Sequence, residues 1–86
     1  MNRKDAVAAC ALLSQGFGAA LSGCFSVTRQ VCAEVKEMIR TDADVELVAK
    51  VAEEMQLEFI NTPGKVRHQL NLEPHLYPAE KVFDTV

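Results

Sequence analysis

The feature that most constrains this chain is a proline-free stretch from residue 2 to residue 40. Its apolar residues recur at helical spacing: with Val7 taken as heptad position a, apolar side chains fill most a and d positions as far as Met38. Positions e and g are also largely apolar, where a two-stranded coiled coil normally carries charges. The pattern therefore predicts a helix with a broad buried face that packs against more than one neighbour.

Three glycines in this stretch, at positions 16, 18 and 23, leave two interpretations open. Each costs about 1 kcal/mol relative to alanine inside a helix, so its presence needs a reason. Residues 14–18 could form a turn that divides the segment into a hairpin. Alternatively, glycines and alanines spaced four apart let two helix backbones approach closely. Because the heptad register continues across the glycines, we favour one continuous helix.

The chain after residue 40 predicts two further helices. Thr41 is a good N-cap, and acidic residues follow it in the first turn of an amphipathic helix, which we predict over residues 42–60. Thr62 and Pro63 are typical of another helix start, so a short third helix is predicted near residues 63–71. Two further prolines, at positions 74 and 78, predict an extended tail that anchors on a neighbouring surface.

Together these patterns predict an all-α fold, a small helical bundle in a single domain over residues 1–86. Its predicted parts are a long helix or hairpin over 1–40, an acidic amphipathic helix in 41–60, and a short helix with its tail in 61–86. A chain of this size buries only about 60% of its unfolded surface and usually needs additional stabilisation. We expect that stabilisation to come from association with other chains.

The predicted function is therefore a small protein–protein interaction or structural protein, either a homo-oligomer or a subunit of a larger assembly. The contact would use the broad face of the N-terminal helix, on which Gly16, Ala20 and Gly23 would allow close approach. The residues predicted at this helix–helix or oligomer contact are Cys10, Gly16, Phe17, Ala20, Leu21, Gly23, Cys24, Val31, Val35 and Met38.

An alternative is a small DNA-binding regulator that uses residues 48–70 as a helix-turn-helix motif. The residues predicted to contact nucleic acid in that case are Lys65, Arg67, His68 and Gln69. The match to the motif is poor, since Gln56 stands where the turn glycine normally lies and Pro63 falls in the recognition helix. The net charge of −3 also disfavours a phosphate backbone as the partner.

Enzymatic, metal-binding and cofactor-dependent functions are not expected. The three cysteines, at positions 10, 24 and 32, form no CxxC pair, so we expect buried free thiols in a reducing compartment. His68 and His75 lie seven residues apart and have no cysteine or carboxylate pair at metal-ligand spacing. Nothing in this pattern indicates a nucleophile with an adjacent base.

Two membrane-related hypotheses are weaker than the interaction hypothesis. Residues 6–28 carry no charge and are long enough to cross a bilayer, but a polar stripe runs along the helix through Gln15, Ser22, Arg29 and Lys36. Residues 21–24, Leu-Ser-Gly-Cys, match the lipobox of bacterial lipoproteins, although Asp5 does not fit the signal that should precede it. We expect a cytoplasmic protein without a membrane span, with the lipoprotein as the alternative.

Overall fold

The computed structural model describes residues 1–72, and within them the chain is all-α, as predicted. The helices are α1 (Arg3–Leu21), α2 (Phe25–Met38), α3 (Asp42–Glu54), a single 3₁₀ turn (Glu58–Ile60) and α4 (Pro63–Leu70). They pack into a small bundle in which α1 contacts both α2 and α3, while α4 packs against α3. The predicted short third helix near residues 63–71 is confirmed. The predicted tail from residue 74 lies outside the described residues.

The N-terminal segment is a helical hairpin, so the favoured continuous helix over residues 1–40 is wrong. The break lies at residues 22–24, C-terminal to the turn considered at 14–18, which is inside α1. Gly23 has a φ of 84°, the left-handed conformation that glycine adopts without steric cost. The backbone N–H of Cys24 donates to the carbonyl of Ala19 at 2.8 Å, and that of Gly23 donates to Ala20 at 3.0 Å. This pair of bonds is the Schellman ending of a helix.

The two arms of the hairpin approach closely at Gly16. A Cβ atom added there would lie 3.0 Å from both Cβ and Cγ1 of Val31 on α2. The hydroxyl of Thr28, three residues before Val31 on α2, donates a hydrogen bond of 2.7 Å to the carbonyl of Gly16. The predicted close approach through Gly16 therefore occurs inside one chain. Because α2 turns back onto α1, the apolar residues of α2 face the same core as those of α1. The heptad pattern in the sequence therefore continues across the turn, although the helix is interrupted there.

The core lies between the hairpin and α3, and it is built from small and branched side chains. α3 ends at Glu54, earlier than the predicted end at residue 60, because Gln56 adopts a left-handed φ of 62° that the helix cannot continue through. The fully buried side chains include Ala6, Ala9, Cys10, Leu13, Val35, Ile39, Val45, Val48, Val51, Ala52, Ile60, Val66 and Leu72. Side chains of this size allow the short interhelical distances that a small bundle requires.

Asp44 joins three parts of the fold. Thr41 and Asp44 form a capping box at the start of α3, where the sequence predicts Thr41 as the N-cap. The Asp44 carboxylate accepts hydrogen bonds from the backbone N–H groups of Arg40 at 2.9 Å and Thr41 at 3.3 Å. It also lies 3.2 Å from the α-ammonium group of Met1. One buried carboxylate thus connects the start of α1 to the junction between α2 and α3.

These contacts shift the ionisation of Asp44. Burial by itself raises the pKa of the carboxyl, but the hydrogen bond from Arg40, the Met1 ammonium and the hydrogen bond from Thr41 together lower the pKa below its ordinary value. A carboxyl with a lowered folded-state pKa stabilises the fold above its unfolded-state pKa, and this contribution is lost as the pH falls through the folded-state value.

A pair of alanine substitutions tests the close approach of α1 and α2. Gly16→Ala forces the stiff, branched Val31 side chain away, whereas a Cβ at Gly18 meets nothing within 4 Å and gains helix propensity. We expect Gly16→Ala to have a free energy of unfolding about 1–3 kcal/mol below that of Gly18→Ala in urea denaturation. Equal stability of the two variants would contradict the contact.

Replacing the carboxylate tests the role of Asp44. Asp44→Ala removes the cap and the acceptor, and we expect it to lower the free energy of unfolding at pH 7 by about 2 kcal/mol. The difference from the wild type should narrow as the pH falls from about 4 through the lowered folded-state pKa of Asp44, because the carboxyl of the folded wild type then becomes protonated. Asp5→Ala, an exposed acidic residue in the first turn of α1, serves as the control and should change stability much less. If the difference in the free energy of unfolding does not change with pH, the charge of Asp44 is not the source of the stabilisation.

Candidate interaction surface

The predicted contact residues divide into an internal set and an exposed set. Cys10, Gly16, Val31 and Val35 are buried in the chain's own core, where they join α1, α2 and α3. Phe17, Ala20 and Met38 are half-buried, and Leu21, Gly23 and Cys24 are exposed at the turn of the hairpin. The broad apolar face recognised in the sequence is therefore largely satisfied within one chain, and only part of it remains available to another molecule.

Phe17 also contacts its own chain. Its ring lies 4.6 Å from that of Phe59, centroid to centroid, with a tilt of 53° between the planes. Offset and tilted aromatic pairs of this kind add stability beyond the area they bury. The pair fixes the 3₁₀ turn against the C-terminal part of α1, so Phe17 belongs to the fold more than to an external surface.

The exposed side of α1 carries no charged residue between Asp5 and the end of the helix. We call this surface the α1 outer face; its residues are Val7, Ala8, Ala11, Ser14, Gln15, Gly18 and Leu21, all exposed. The outward side of α3 is an ordinary charged helix surface by comparison. Its exposed residues include Glu46, Lys50, Glu53 and Glu54. A solvent-exposed helix face of four turns without a charge is the main departure of this molecule from an ordinary surface.

The hairpin turn extends this surface with larger apolar side chains. We call residues 21–25 the hairpin tip. Leu21 is 92% exposed and Phe25 is 62% exposed, and Cys24 between them is also exposed. The nearest charged residue in the sequence is Arg29, one turn into α2. Large apolar residues exposed together in this way are typical of a binding surface.

The three thiols lie in different environments, which corrects the expectation that all are buried. Cys10 is buried and donates its S–H to the carbonyl of Val48 at 3.5 Å, and burial raises its pKa to about 11. Cys32 is half-buried, and burial raises the pKa of its thiol as well. Cys24 is exposed. A thiol as buried and as weakly acidic as that of Cys10 is a structural group rather than a nucleophile.

All four residues of the DNA-binding alternative lie on α4. The Lys65 ammonium bonds to the Glu58 carbonyl and the Asn61 side chain, each at 3.0 Å, and Arg67 pairs with Asp42 at 3.1 Å. His68 and Gln69 are exposed, and an open cleft of about 410 Å³ is lined by Gly64, Arg67, His68 and Asn71. Both basic side chains thus have acceptors within the chain, which makes them poorer phosphate contacts than free cations.

Within residues 1–72 there is no group of three or more His, Cys, Asp or Glu side chains that could hold a metal ion. In the same part of the chain, no helix combines the length and the apolar character needed to cross a membrane. His75 lies outside the described residues. Comparison with protein-family models, with curated proteins and with solved structures finds no match for this chain.

Of the residues predicted on α1 for the contact, only Leu21 is exposed. Val7, Ala11, Ser14 and Gly18 were visible as members of heptad positions a and e, but the breadth of the apolar pattern made all positions look equally buried. Phe25 was also missed. The absence of charge from residue 6 to residue 28 was the signal that pointed to this surface, because a face exposed to water normally carries charges.

The exposure of the thiols predicts their order of reaction. With a thiol reagent at pH 8 we expect Cys24 to be modified first and Cys32 more slowly, while Cys10 is modified only on unfolding because it is buried and protonated. Mass spectrometry of the alkylated peptides measures the order, and Cys24→Ser should abolish the fast phase. Rapid modification of Cys10 in the folded protein would show that the core opens there.

Proposed function

We propose that this chain is a small helical interaction or structural protein, which self-associates or serves as a subunit of a larger assembly through the α1 outer face and the hairpin tip. One observation carries the proposal: an exposed helix face about 21 Å long has no charged side chain and ends in an exposed Leu21 and Phe25.

The chemistry of this face favours close contact with another protein surface. Burying a charged side chain costs several kcal/mol unless a partner compensates it, and the α1 outer face has none to bury. Alanine, glycine and serine also lose little conformational entropy when they are covered. The larger side chains of Leu21 and Phe25 supply apolar area at one end. A partner helix could therefore lie against α1 with a small desolvation penalty.

This surface is separate from the residues that hold the fold. The core side of α1 contributes Ala6, Ala9, Cys10 and Leu13, each fully buried, while the outer face points away from α2 and α3. Substitutions on the outer face should therefore change association without unfolding the chain. The proposal involves no catalysis and no cofactor.

The setting we propose is the cytoplasm. Cys10, Cys24 and Cys32 are free thiols, which suits a reducing compartment. In the lipoprotein alternative, processing at Cys24 would remove everything before it, including all of α1. That would take Ala6, Ala9, Cys10 and Leu13 out of the core, a loss that the remaining helices could not compensate. The exposed Cys24 is better explained as part of the hairpin tip.

The DNA-binding alternative has less support from the geometry. α3 and α4 are joined by residues 55–62, a longer connection than the short turn of a helix-turn-helix motif. Arg67 is engaged with Asp42, and the amino end of α4 begins at Pro63 next to the acidic α3. A negatively charged neighbour opposes the approach of a phosphate backbone.

Two added carboxylates test the proposed function. Ala11→Glu combined with Gly18→Glu places charges at the centre of the α1 outer face, and both positions are exposed, with open space beside Gly18. We expect the double variant to keep the wild-type helix content in circular dichroism. It should lose the wild-type association, measured by light scattering after size exclusion and by capture of partners from the native lysate.

Ala33→Glu combined with Ala43→Glu is the matched control, since these exposed alanines lie on α2 and α3 and give the same change in charge. The control should associate as the wild type does. If the outer-face variant and the wild type give the same mass and capture the same proteins, the α1 outer face is not an interaction surface and the proposal fails.

A further inference from the structure

The hairpin tip stands clear of the rest of the described chain. Every residue from Leu21 to Val27 is exposed, and no residue from 17 to 30 is buried. Leu21 is 92% exposed, Phe25 is 62% exposed and Val27 is 40% exposed. A turn that protrudes in this way presents a few large apolar side chains on a convex surface. Such a surface is suited to entering an apolar medium and poorly suited to lying flat against a second protein.

The backbone of the turn is already hydrogen-bonded within the chain. The N–H group of Gly23 donates to the Ala20 carbonyl at 3.0 Å. The N–H groups of Ser22 and Cys24 both donate to the Ala19 carbonyl, at 3.1 and 2.8 Å. A backbone N–H without a partner costs free energy when it leaves water, whereas these three have partners. The turn can therefore enter an apolar medium without losing hydrogen bonds at these groups.

The first charge next to the tip is positive. Arg29 is exposed one turn into α2, and its side chain forms no ion pair within the described residues. Along the sequence the nearest carboxylates are Asp5, at the far end of α1, and Glu34, nine residues after Phe25. An apolar tip followed by a cation complements a surface that is apolar inside and anionic at its edge. That is the layout of a bilayer that contains anionic phospholipids.

The acidic part of the molecule lies away from the tip. Glu54 at the end of α3 forms a bidentate pair with Arg3, in the first turn of α1, at 2.7 and 3.0 Å. The 3₁₀ turn comes closer to the tip, because Phe59 packs against the C-terminal part of α1. Its Glu58 has a cation beside it, since the Lys65 ammonium donates to the Glu58 carbonyl at 3.0 Å. Repulsion between these carboxylates and an anionic surface at the tip is therefore small.

We infer that the hairpin tip contacts an anionic phospholipid surface, with Leu21 and Phe25 in the acyl boundary and Arg29 bonded to lipid phosphates. A fluid acyl boundary accommodates a convex tip, whereas a protein partner would need a groove of matching shape. The inference goes beyond the proposed function, because it gives the tip a lipid partner and leaves the α1 outer face to a protein. Two large side chains and one cation give weak, reversible binding, as a single acyl chain does.

A fluorescent probe at the tip tests the insertion. The chain contains no tryptophan, so Phe25→Trp places a single indole there. With vesicles of equal parts phosphatidylcholine and phosphatidylglycerol, we expect its emission to shift to shorter wavelength, and acyl-brominated lipid to quench it. Met55→Trp is the matched control, since Met55 is 40% exposed and follows Glu54, away from the tip. The emission of the control should not change.

Flotation of the full chain with the same vesicles measures the affinity. Leu21→Ser combined with Phe25→Ser should lower the affinity at least about tenfold, because most of the inserted apolar area is lost. Both positions are exposed, so the helix content in circular dichroism should stay that of the wild type.

Charge reversal tests the role of Arg29. Arg29→Glu should lower the affinity at least about fivefold and remove the preference for anionic over purely zwitterionic vesicles. Arg40→Glu is the matched control, because Arg40 is exposed beyond the opposite end of α2. It makes the same change in net charge and should bind nearly as the wild type does.

The outcomes separate this inference from the proposed function. If the wild type does not bind anionic vesicles, or the serine variant binds as well as the wild type, the lipid contact is wrong. Loss of protein capture by the serine variant, without vesicle binding by the wild type, would show that the tip occupies a protein groove instead. Capture by the Ala11→Glu, Gly18→Glu variant tests the α1 outer face in the absence of lipid, so either proposal can fail while the other stands.

Discussion

The contact between α1 and α2 at Gly16 and Val31 determines which side of α1 is available to other molecules. Without a Cβ at position 16, the two arms of the hairpin come close enough for the Thr28 hydroxyl to bond to the Gly16 carbonyl. This fixes the rotation of α1 about its own axis, because one side must face α2. α3 then covers the remaining core side. The small-residue side opposite the core is left in water, and the proposed interaction follows from that position.

Asp44 supplies the second constraint, since the order of the helices depends on the junctions between them. The carboxylate is hydrogen-bonded to the backbone before α3 and lies beside the α-ammonium group of Met1. A buried carboxylate without these partners would destabilise the fold, whereas with them it orients three chain segments at one point. The two constraints act at different points of α1, one before its start and one at Gly16 in its C-terminal half. Together they orient α1 so that its outer face is exposed.

The sequence predicted the individual helices better than it predicted how they end and which helices pack against each other. The cap at Thr41, the start at Thr62 and Pro63, and the amphipathic pattern of α3 depend on residues close in sequence, and each is found in the structure. The end of α3 was placed too late, because Gln56 adopts a left-handed conformation that is usual for glycine and not for glutamine. The hairpin turn at Gly23 was missed for a related reason: a heptad pattern is unchanged when a helix folds back onto its own apolar side.

The sequence by itself thus determined an all-α chain, the starts of α3 and α4, the broad apolar face and the charge-free segment, because these depend on local spacing and on residue type. Only the tertiary structure decided how the apolar face is divided. It assigned Cys10, Gly16, Val31 and Val35 to the core and left Val7, Ser14 and Leu21 exposed. The physical reason is that spacing shows which residues share a side of a helix, whereas burial depends on the position of the neighbouring helices, and here that position was set by the turn at Gly23.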